Sequence, residues 1–255
     1  MAQRLGISRQ QAQGSILAGR VRVDGVTQRK AGFSLPEGTL LEVDAGDRFV
    51  GRGGHKLERA LEEFEWSVDG LRCLDVGAST GGFTDCLLQR GATTVTALDV
   101  GYGHLAWKLR QDPRVKVLER INFRNAGAAL LGPPYDFIAI DVSFISLTKL
   151  VERLKASLAA GGRVVALVKP QFEAGRADVS RGGVVRDPTV HARTLREVVD
   201  AFQASGLRCV RLTFSPIKGP AGNIEFLLGA TSGEGDARGI DVAGVVARAH
   251  EALDR

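Results

Sequence analysis

Two charged residues fall at the ends of predicted strands, where a polar side chain needs an explanation, and a third lies within a predicted strand. Asp141 ends the run 137–141, Lys169 ends the run 164–169, and Glu225 lies in the last predicted strand. Charged side chains are rarely buried unless they are paired. Ligands bind at the carboxyl ends of parallel strands, so we expect these groups to face one crevice and to orient or exchange a proton there. For any one of them, a charge at a solvated strand end is the plainer interpretation.

A glycine-rich turn follows the first strand of the same region. It runs from Asp75 through Gly77 and Ser79 to Gly81 and leads into a helix. Ser79 stands where the dinucleotide fingerprint has its second glycine, which lets the backbone approach a pyrophosphate. S-adenosylmethionine (SAM) has no phosphate and carries a cationic sulfonium, which suits acidic residues at strand ends. Asp99 ends the next strand and can accept hydrogen bonds from a ribose diol. A structural turn with a surface aspartate is the alternative.

Strands and helices alternate from residue 71 onward. The predicted strands are 71–76, 94–99, 115–119, 137–141, 163–169, 207–214 and 224–228, and the predicted helices include 54–65, 83–89, 105–110 and 147–158. This alternation predicts an α/β domain, a mostly parallel sheet with helices on both faces. The connection 215–223 is short for a crossover, so we expect the last two strands to be antiparallel.

All of the excess positive charge lies in the first 30 residues. The formal net charge is +5, and this stretch holds Arg4, Arg9, Arg20, Arg22, Arg29 and Lys30 against Asp24 alone. A helix from Ser8 to about Leu17 is predicted, followed by a small sheet with a turn at Asp24-Gly25. Such an asymmetry suggests a module that binds a polyanion. A solvated basic face explains the charge equally well.

A second basic segment, 173–186, follows Lys169. It is rich in glycine and carries Arg176, Arg181 and Arg186. At the mouth of a crevice, such a segment can close over RNA. A disordered surface loop is the alternative.

The composition argues against a metal site, a disulfide-bonded secreted protein and a membrane-spanning protein. The three cysteines include no C-x-x-C pair, and the four histidines show no metal spacing, so we expect no metal and a reducing compartment. No apolar stretch approaches the roughly 18 residues that span a bilayer, and no signal region is seen. These patterns predict a cytoplasmic protein.

Several of these stretches resemble known families. Residues 8–12 and 16–25 resemble the RNA-binding domain of small-subunit ribosomal protein four, although part of the family's first helix is missing. Residues 54–230 resemble the FtsJ-type (RrmJ-like) ribose methyltransferases. With the N-terminal module, the chain is similar to the TlyA (haemolysin A) family of bacterial rRNA 2′-O-methyltransferases. The stretches that carry this resemblance are 53–57, 75–84, 141–144, 168–173 and 182–187.

The resemblance implies a domain organisation and a set of site residues. The expected domains are an RNA-binding module at 1–44, a linker at 45–53 and a Rossmann-like methyltransferase domain at 54–255. The family's Lys-Asp-Lys-Glu tetrad corresponds to Lys56, Asp141, Lys169 and Glu225. SAM is expected at Asp75, Gly77, Ser79, Gly81, Asp99 and Asn122. The implied partner is ribosomal RNA or a ribosomal subunit, and the implied product is a cytidine methylated at its 2′-hydroxyl.

Two other functions stay open from the sequence. The family's old name suggests a membrane-active haemolysin, but the C-terminal helix carries Arg248, Glu251 and Asp254 and is poorly suited to lysis. A non-catalytic RNA-binding protein is the other alternative, and the intact Lys-Asp-Lys-Glu set argues against it.

Overall fold

The computed structural model describes residue 2 and residues 8–35, 38–44, 46–233 and 239–254. The predicted RNA contact Arg4 and part of the predicted turn at 35–38 lie outside these residues. The chain divides into two compact units, Met1–Arg48 and Phe49–Arg255.

The described part of the first unit holds a helix and a three-stranded antiparallel sheet. Helix α1 (Arg9–Leu17) precedes strands β1 (Val21–Val23), β2 (Val26–Gln28) and β3 (Leu41–Val43), which lie in the order β2–β1–β3. Asp24 and Gly25 both adopt positive φ angles, as the two-residue turn between β1 and β2 requires. The predicted helix and hairpin are therefore present. The side chains of Arg9, Arg20 and Arg22 are exposed.

The second unit is built on a seven-stranded sheet. Its strands are β4 (Arg72–Val76), β5 (Thr94–Leu98), β6 (Val115–Leu118), β7 (Tyr135–Ile140), β8 (Leu158–Val168), β9 (Arg208–Phe214) and β10 (Phe226–Thr231). They lie in the order β6–β5–β4–β7–β8–β10–β9. The first five in this order are parallel, while β10 runs antiparallel to both β8 and β9. The predicted Rossmann-like sheet with an antiparallel last strand is confirmed.

Helices cover both faces of this sheet. Their bounds are α2 (Gly53–Glu63), α3 (Gly82–Gln89), α4 (Trp107–Arg110), α5 (Ala128–Leu131), α6 (Val151–Ser157), α7 (Pro170–Glu173), α8 (Pro188–Ala204) and α9 (Val242–Leu253). Successive strand residues point to opposite faces, so neighbours such as Phe137 and Ile138 join different core clusters. Helices α2, α3 and α4 pack on one face, and α6, α8 and α9 pack on the other.

Some predicted bounds differ from the structure. The last strand begins at Phe226 rather than at 224, so Glu225 precedes the strand instead of lying in it. The predicted helix 147–158 is divided into a 3₁₀ turn, Leu147–Lys149, and α6, because Ser146 Oγ accepts a hydrogen bond from Thr148 N and starts a separate turn. Strand β8 begins at Leu158, earlier than predicted.

The structure also answers how the cysteines are placed and whether a described helix is suited to cross a membrane. Cys73, Cys86 and Cys209 are buried, and none of the three forms a disulfide. Within the described residues, every helix is too short or too polar to cross a membrane.

Candidate active site

Three neighbouring strands bring the predicted charged residues to one edge of the sheet. Asp141 follows β7, Lys169 follows β8, and Glu225 directly precedes β10. Since β7, β8 and β10 are adjacent, all three residues lie at the carboxyl edge of the parallel strands. Phe226 pairs with Val168, so Glu225 and Lys169 occupy the next position across this antiparallel pair.

Lys169 and Asp141 form the first of two ion pairs. Lys169 Nζ lies 2.5 Å from Asp141 Oδ1, and Nζ donates a hydrogen bond of 3.1 Å to Ser143 Oγ. The lysine side chain is 11% exposed and the aspartate side chain is 22% exposed. This pair therefore keeps some access to solvent and to a substrate.

Lys56 and Glu225 form the second pair. Lys56 lies on α2, and its Nζ is 2.5 Å from Glu225 Oε2. The two side chains are 9% and 1% exposed, so this pair is more deeply buried than the first. A buried ion pair pays a large desolvation cost and is weak evidence for stability, which favours a functional reason for its presence.

A cleft of about 480 Å³ adjoins the Lys169–Asp141 pair. Its lining residues are Val76, Gly77, Ser79, Leu98, Asp99, Val100, Asn122, Phe123, Asp141, Val142, Ser143, Phe144, Ile145 and Leu150. Four predicted SAM-binding residues, Gly77, Ser79, Asp99 and Asn122, thus share a wall with one predicted catalytic residue, Asp141.

The glycine-rich turn is shaped by close backbone contacts. Gly77 has a φ of +87°, and a Cβ there would lie 2.2 Å from the carbonyl oxygen of Asp141. Its N–H donates to Leu98 O over 2.8 Å. Ser79 N donates to Asp99 Oδ2 over 2.8 Å, which ties the turn to the end of the next strand. Gly81 has a φ of +98°, and a Cβ there would lie 2.3 Å from Leu109 Cδ1, so this glycine allows α4 to pack closely.

Two predicted SAM-binding residues have structural partners. Asp75 is fully buried, and its Oδ2 accepts a hydrogen bond of 2.6 Å from Thr84 Oγ1, while its Oδ1 has no hydrogen-bond partner among the described residues. Burial raises the pKa of Asp75 to about 7, and the charges of Asp141 and Asp99 act in the same direction. Asn122 Oδ1 accepts from Arg124 N over 3.0 Å and begins a short 3₁₀ turn.

These features fit SAM. The missing side chain at Gly77 leaves the backbone open to a ligand, and Asp99 offers a carboxylate at the cleft wall. Asp75 has an unpaired buried oxygen, and together with Asp99 and Asp141 it gives the site an acidic character that suits a cation. Within the described ranges, no group of His, Cys, Asp and Glu side chains could hold a metal ion.

The arginine-bearing segment is held to the domain by specific contacts. Arg176, Arg181 and Arg186 are exposed, and a 3₁₀ turn spans Arg176–Asp178. At its start, Glu173 Oε1 accepts from Leu147 N over 2.9 Å. Near its end, Val185 N donates to Asn223 Oδ1 over 2.9 Å.

Sequence reasoning missed the role that Phe144 has in shaping the cleft. Its side chain is 91% exposed, its φ is +65°, and its ring centroid lies 5.0 Å from that of Phe172. A large aromatic residue held in a left-handed conformation at the wall of a cleft offers a face for stacking. The positive φ and the exposure leave no sequence signal, because nothing local distinguishes this phenylalanine from a core residue.

Comparison with known proteins identifies the family. Residues 49–232 match the family model described as FtsJ-like methyltransferase. The chain belongs to this family. It is also 48% identical over 226 residues to the 16S/23S rRNA (cytidine-2′-O)-methyltransferase TlyA of Mycobacterium tuberculosis, an alignment that covers 88% of this chain and 84% of the relative. The predicted membership in the TlyA group of FtsJ-like methyltransferases is confirmed.

Solved structures agree with this assignment. A structure from Streptococcus thermophilus, provisionally named a hemolysin, is 42% identical to this FtsJ-like methyltransferase, with a TM-score of 0.78, and covers 97% of this chain and 92% of that one. The N-methyltransferase NodS of Bradyrhizobium japonicum, solved with S-adenosyl-L-homocysteine, is 16% identical, with a TM-score of 0.51, and covers 73% of this chain and 89% of that one. At that identity the likeness shows the fold alone.

Proposed function

We propose that this protein transfers a methyl group from SAM to the 2′-hydroxyl of a cytidine in ribosomal RNA. The observation that carries the proposal is the pair of lysine–carboxylate contacts at one edge of the sheet, beside a cleft that fits a nucleoside sulfonium. The TlyA relative, which carries this activity in its name, supports the choice of substrate.

SAM, when bound, supplies an electrophilic methyl carbon on a cationic sulfur. The residues of this chain must then place a ribose hydroxyl and take its proton, because an alcohol is a poor nucleophile until it is deprotonated or strongly polarised. Lys169 is the base in this proposal, and its Nζ in the neutral form accepts the hydroxyl proton. Asp141, 2.5 Å away, aims Lys169 and stabilises the ammonium that forms.

Lys56 and Glu225 position the hydroxyl, and their low exposure keeps water away from it. Proximity supplies much of the remaining acceleration.

RNA is held in this proposal by two basic surfaces and one aromatic ring. Arg9, Arg20 and Arg22 in the N-terminal unit contact phosphates, and Arg176, Arg181 and Arg186 do the same beside the methyltransferase site. Phe144 offers its exposed ring to an unstacked base. The proposed domains remain the RNA-binding module 1–44, the linker 45–53 and the methyltransferase domain 54–255, acting in the cytoplasm, where rRNA is found.

Transfer of a labelled methyl group tests the proposal. The purified protein is incubated with SAM labelled in its methyl group and with 16S and 23S rRNA made by transcription, either free or assembled into subunits. We expect 2′-O-methylcytidine, identified by mass spectrometry of the nucleosides and by resistance of the modified linkage to alkali. Methylation of a base, or no transfer to any of these RNAs, would contradict the proposal. Leakage from liposomes, measured in parallel, detects a haemolysin.

A further inference from the structure

One residue of the arginine-bearing segment is held by both of its peptide groups. Val185 is buried, with 2% of its surface exposed. It lies in the chain between the exposed residues Arg181 and Arg186, shortly before α8 begins. Its N–H donates to Asn223 Oδ1 over 2.9 Å, and its carbonyl oxygen lies 3.1 Å from His191 Nε2. We refer to Asn223 and His191 as the Val185 clamp.

Asn223 joins the segment to the stretch that carries Glu225. Its side chain is 1% exposed, and Nδ2 donates to Gly183 O over 2.9 Å while Oδ1 accepts from Val185 N. The carbonyl oxygen of Asn223 accepts from Gly219 N over 2.9 Å, which fixes the loop before β10. The side chain of Asn223 therefore fastens Gly183 and Val185 of the segment to a stretch that lies two positions before Glu225.

His191 belongs to a chain of hydrogen bonds that ends in the C-terminal helix. Its Nδ1 lies 2.9 Å from His250 Nε2, and His250 Nδ1 lies 2.6 Å from Asp254 Oδ2. A carbonyl and a carboxylate can only accept, so His191 Nε2 donates to Val185 O and His250 Nδ1 donates to Asp254 Oδ2. The facing nitrogens of the two rings, His191 Nδ1 and His250 Nε2, share one hydrogen between them.

Other observations agree with this protonation pattern. Burial and the charge of His250 lower the pKa of His191 to about 4, so His191 is neutral near pH 7. Lys218, on the loop before β10, lies 2.9 Å from Asp254 Oδ1 and partly balances that carboxylate. The ring of His191 also packs edge-on against Phe226, the first residue of β10.

We infer that Asn223 and His191 are positioning residues that hold Arg181 and Arg186 in place for RNA by clamping Val185. This inference rests on the proposed function, because it assigns the arginine-bearing segment to the RNA substrate. The contacts are buried, so losing one leaves a peptide group without a partner and lets the segment leave its place. Part of the free energy of RNA binding is then used to order the segment again, so the affinity for RNA is weaker. The groups that transfer the methyl group are unchanged.

Three variants of α8 test the clamp. His191→Phe keeps the ring and removes both hydrogen bonds, whereas His191→Gln keeps an amide that can donate to Val185 O. Thr194→Val is the matched control, because Thr194 is equally buried and its hydroxyl donates to His191 O within its own helix rather than to the segment. We expect His191→Phe to raise the KM for rRNA about tenfold, with kcat within about twofold of wild type and unchanged SAM affinity. His191→Gln should recover most of the loss, and Thr194→Val should show none.

A double-mutant cycle links the clamp to the arginines. In a variant with Arg176, Arg181 and Arg186 all changed to Ala, His191→Phe should raise the KM no further, because there is nothing left to position. An additive rise, or a fall in kcat at unchanged KM, would overturn the inference.

Trypsin cleavage after Arg181 and Arg186 gives a readout that does not depend on methyl transfer. The His191→Phe and Asn223→Leu variants should be cut faster than wild type at these two sites, and His191→Gln should be cut at nearly the wild-type rate. Equal cleavage in all variants would overturn the clamp itself. Faster cleavage in a protein that transfers no methyl group to rRNA would show a real clamp and a failed proposed function.

Discussion

Lys56 and Glu225 are 169 positions apart in the chain, yet they form the most deeply buried ion pair of the site, with Nζ 2.5 Å from Oε2. The pair joins α2 to the start of β10, next to the more exposed pair of Lys169 and Asp141. This difference in exposure suggests a division of work. In the proposed mechanism, the inner pair positions the ribose hydroxyl and the outer pair takes its proton.

Replacement of the proposed base should separate catalysis from binding. We expect Lys169→Ala to lower methyl transfer by about 100- to 10,000-fold, the usual contribution of a general base. RNA binding, measured by filter retention, should stay nearly intact. Lys116→Ala, at an exposed lysine on β6, is the control and should behave as wild type. Undiminished transfer by Lys169→Ala would refute the assignment of the base.

Breaking the inner ion pair should cost stability as well as activity. Lys56→Met leaves the Glu225 carboxylate buried without its partner, and we expect the free energy of unfolding in urea to fall by about 3–5 kcal/mol. Adding Glu225→Leu removes the unpaired charge and should restore most of this loss, while methyl transfer stays absent. If Lys56→Met alone were as stable as wild type, water or another group would have to replace Lys56 readily, which would contradict the prediction.

Gly219 should act on the reaction through Glu225. A Cβ at this position would lie 2.5 Å from Glu225 Oε1, so Gly219→Ala must displace the carboxylate. We expect kcat to fall by about 10- to 100-fold, since a shift of about 1 Å at a reacting site can cost that much. The control is Gly127→Ala, because a Cβ at Gly127 meets nothing within 4 Å. Similar kcat values for the two variants would mean that Glu225 needs no fixed position.

The buried imidazole of His191 should make the protein less stable in mild acid. Its pKa falls from 6.5 to about 4 on folding, so between these pH values the imidazole is protonated in the unfolded chain and neutral in the folded protein. The stabilising effect is full above about pH 6.5 and is lost as the pH falls toward 4, with a total of roughly 3 kcal/mol. Unfolding in urea between pH 4 and 7 should show a smaller acid loss for His191→Phe than for wild type. Parallel curves would contradict the prediction.

The buried carboxyl group of Asp75 should act in the opposite direction over the same pH range. Its pKa rises from 3.8 to about 7 on folding, so its protonated form favours the folded state below about pH 4, and this advantage is lost as the pH rises to 7. We expect Asp75→Asn to be more stable than wild type at pH 8 by roughly 4 kcal/mol, but to bind SAM more weakly in calorimetry. Asp69→Asn, at an exposed site, should change neither property. Because the His191 and Asp75 effects partly cancel in wild type, only the variants reveal them.

The sequence predicted the elements better than their bounds. Alternating apolar runs and amphipathic stripes are local patterns, and they correctly predicted an α/β domain with antiparallel last strands. The division of helix 147–158 was missed because Ser146 starts a new turn inside an apolar stripe that looks continuous. The later start of β10 was missed because Ile224 and Phe226 are both buried, which makes the strand look longer than it is.

By itself, the sequence determined which residue types stand at the strand ends, the glycine-rich turn that leads into α3, and the charge of the N-terminal stretch. Only the tertiary structure decided which lysine meets which carboxylate, that β10 inserts between β8 and β9, and that Val185 is held from both sides. The reason is that strand patterns depend on neighbours two to four positions apart. The ion pairs and the Val185 clamp join residues that are distant in the chain, so they depend on the positions that these segments take when the whole core is packed.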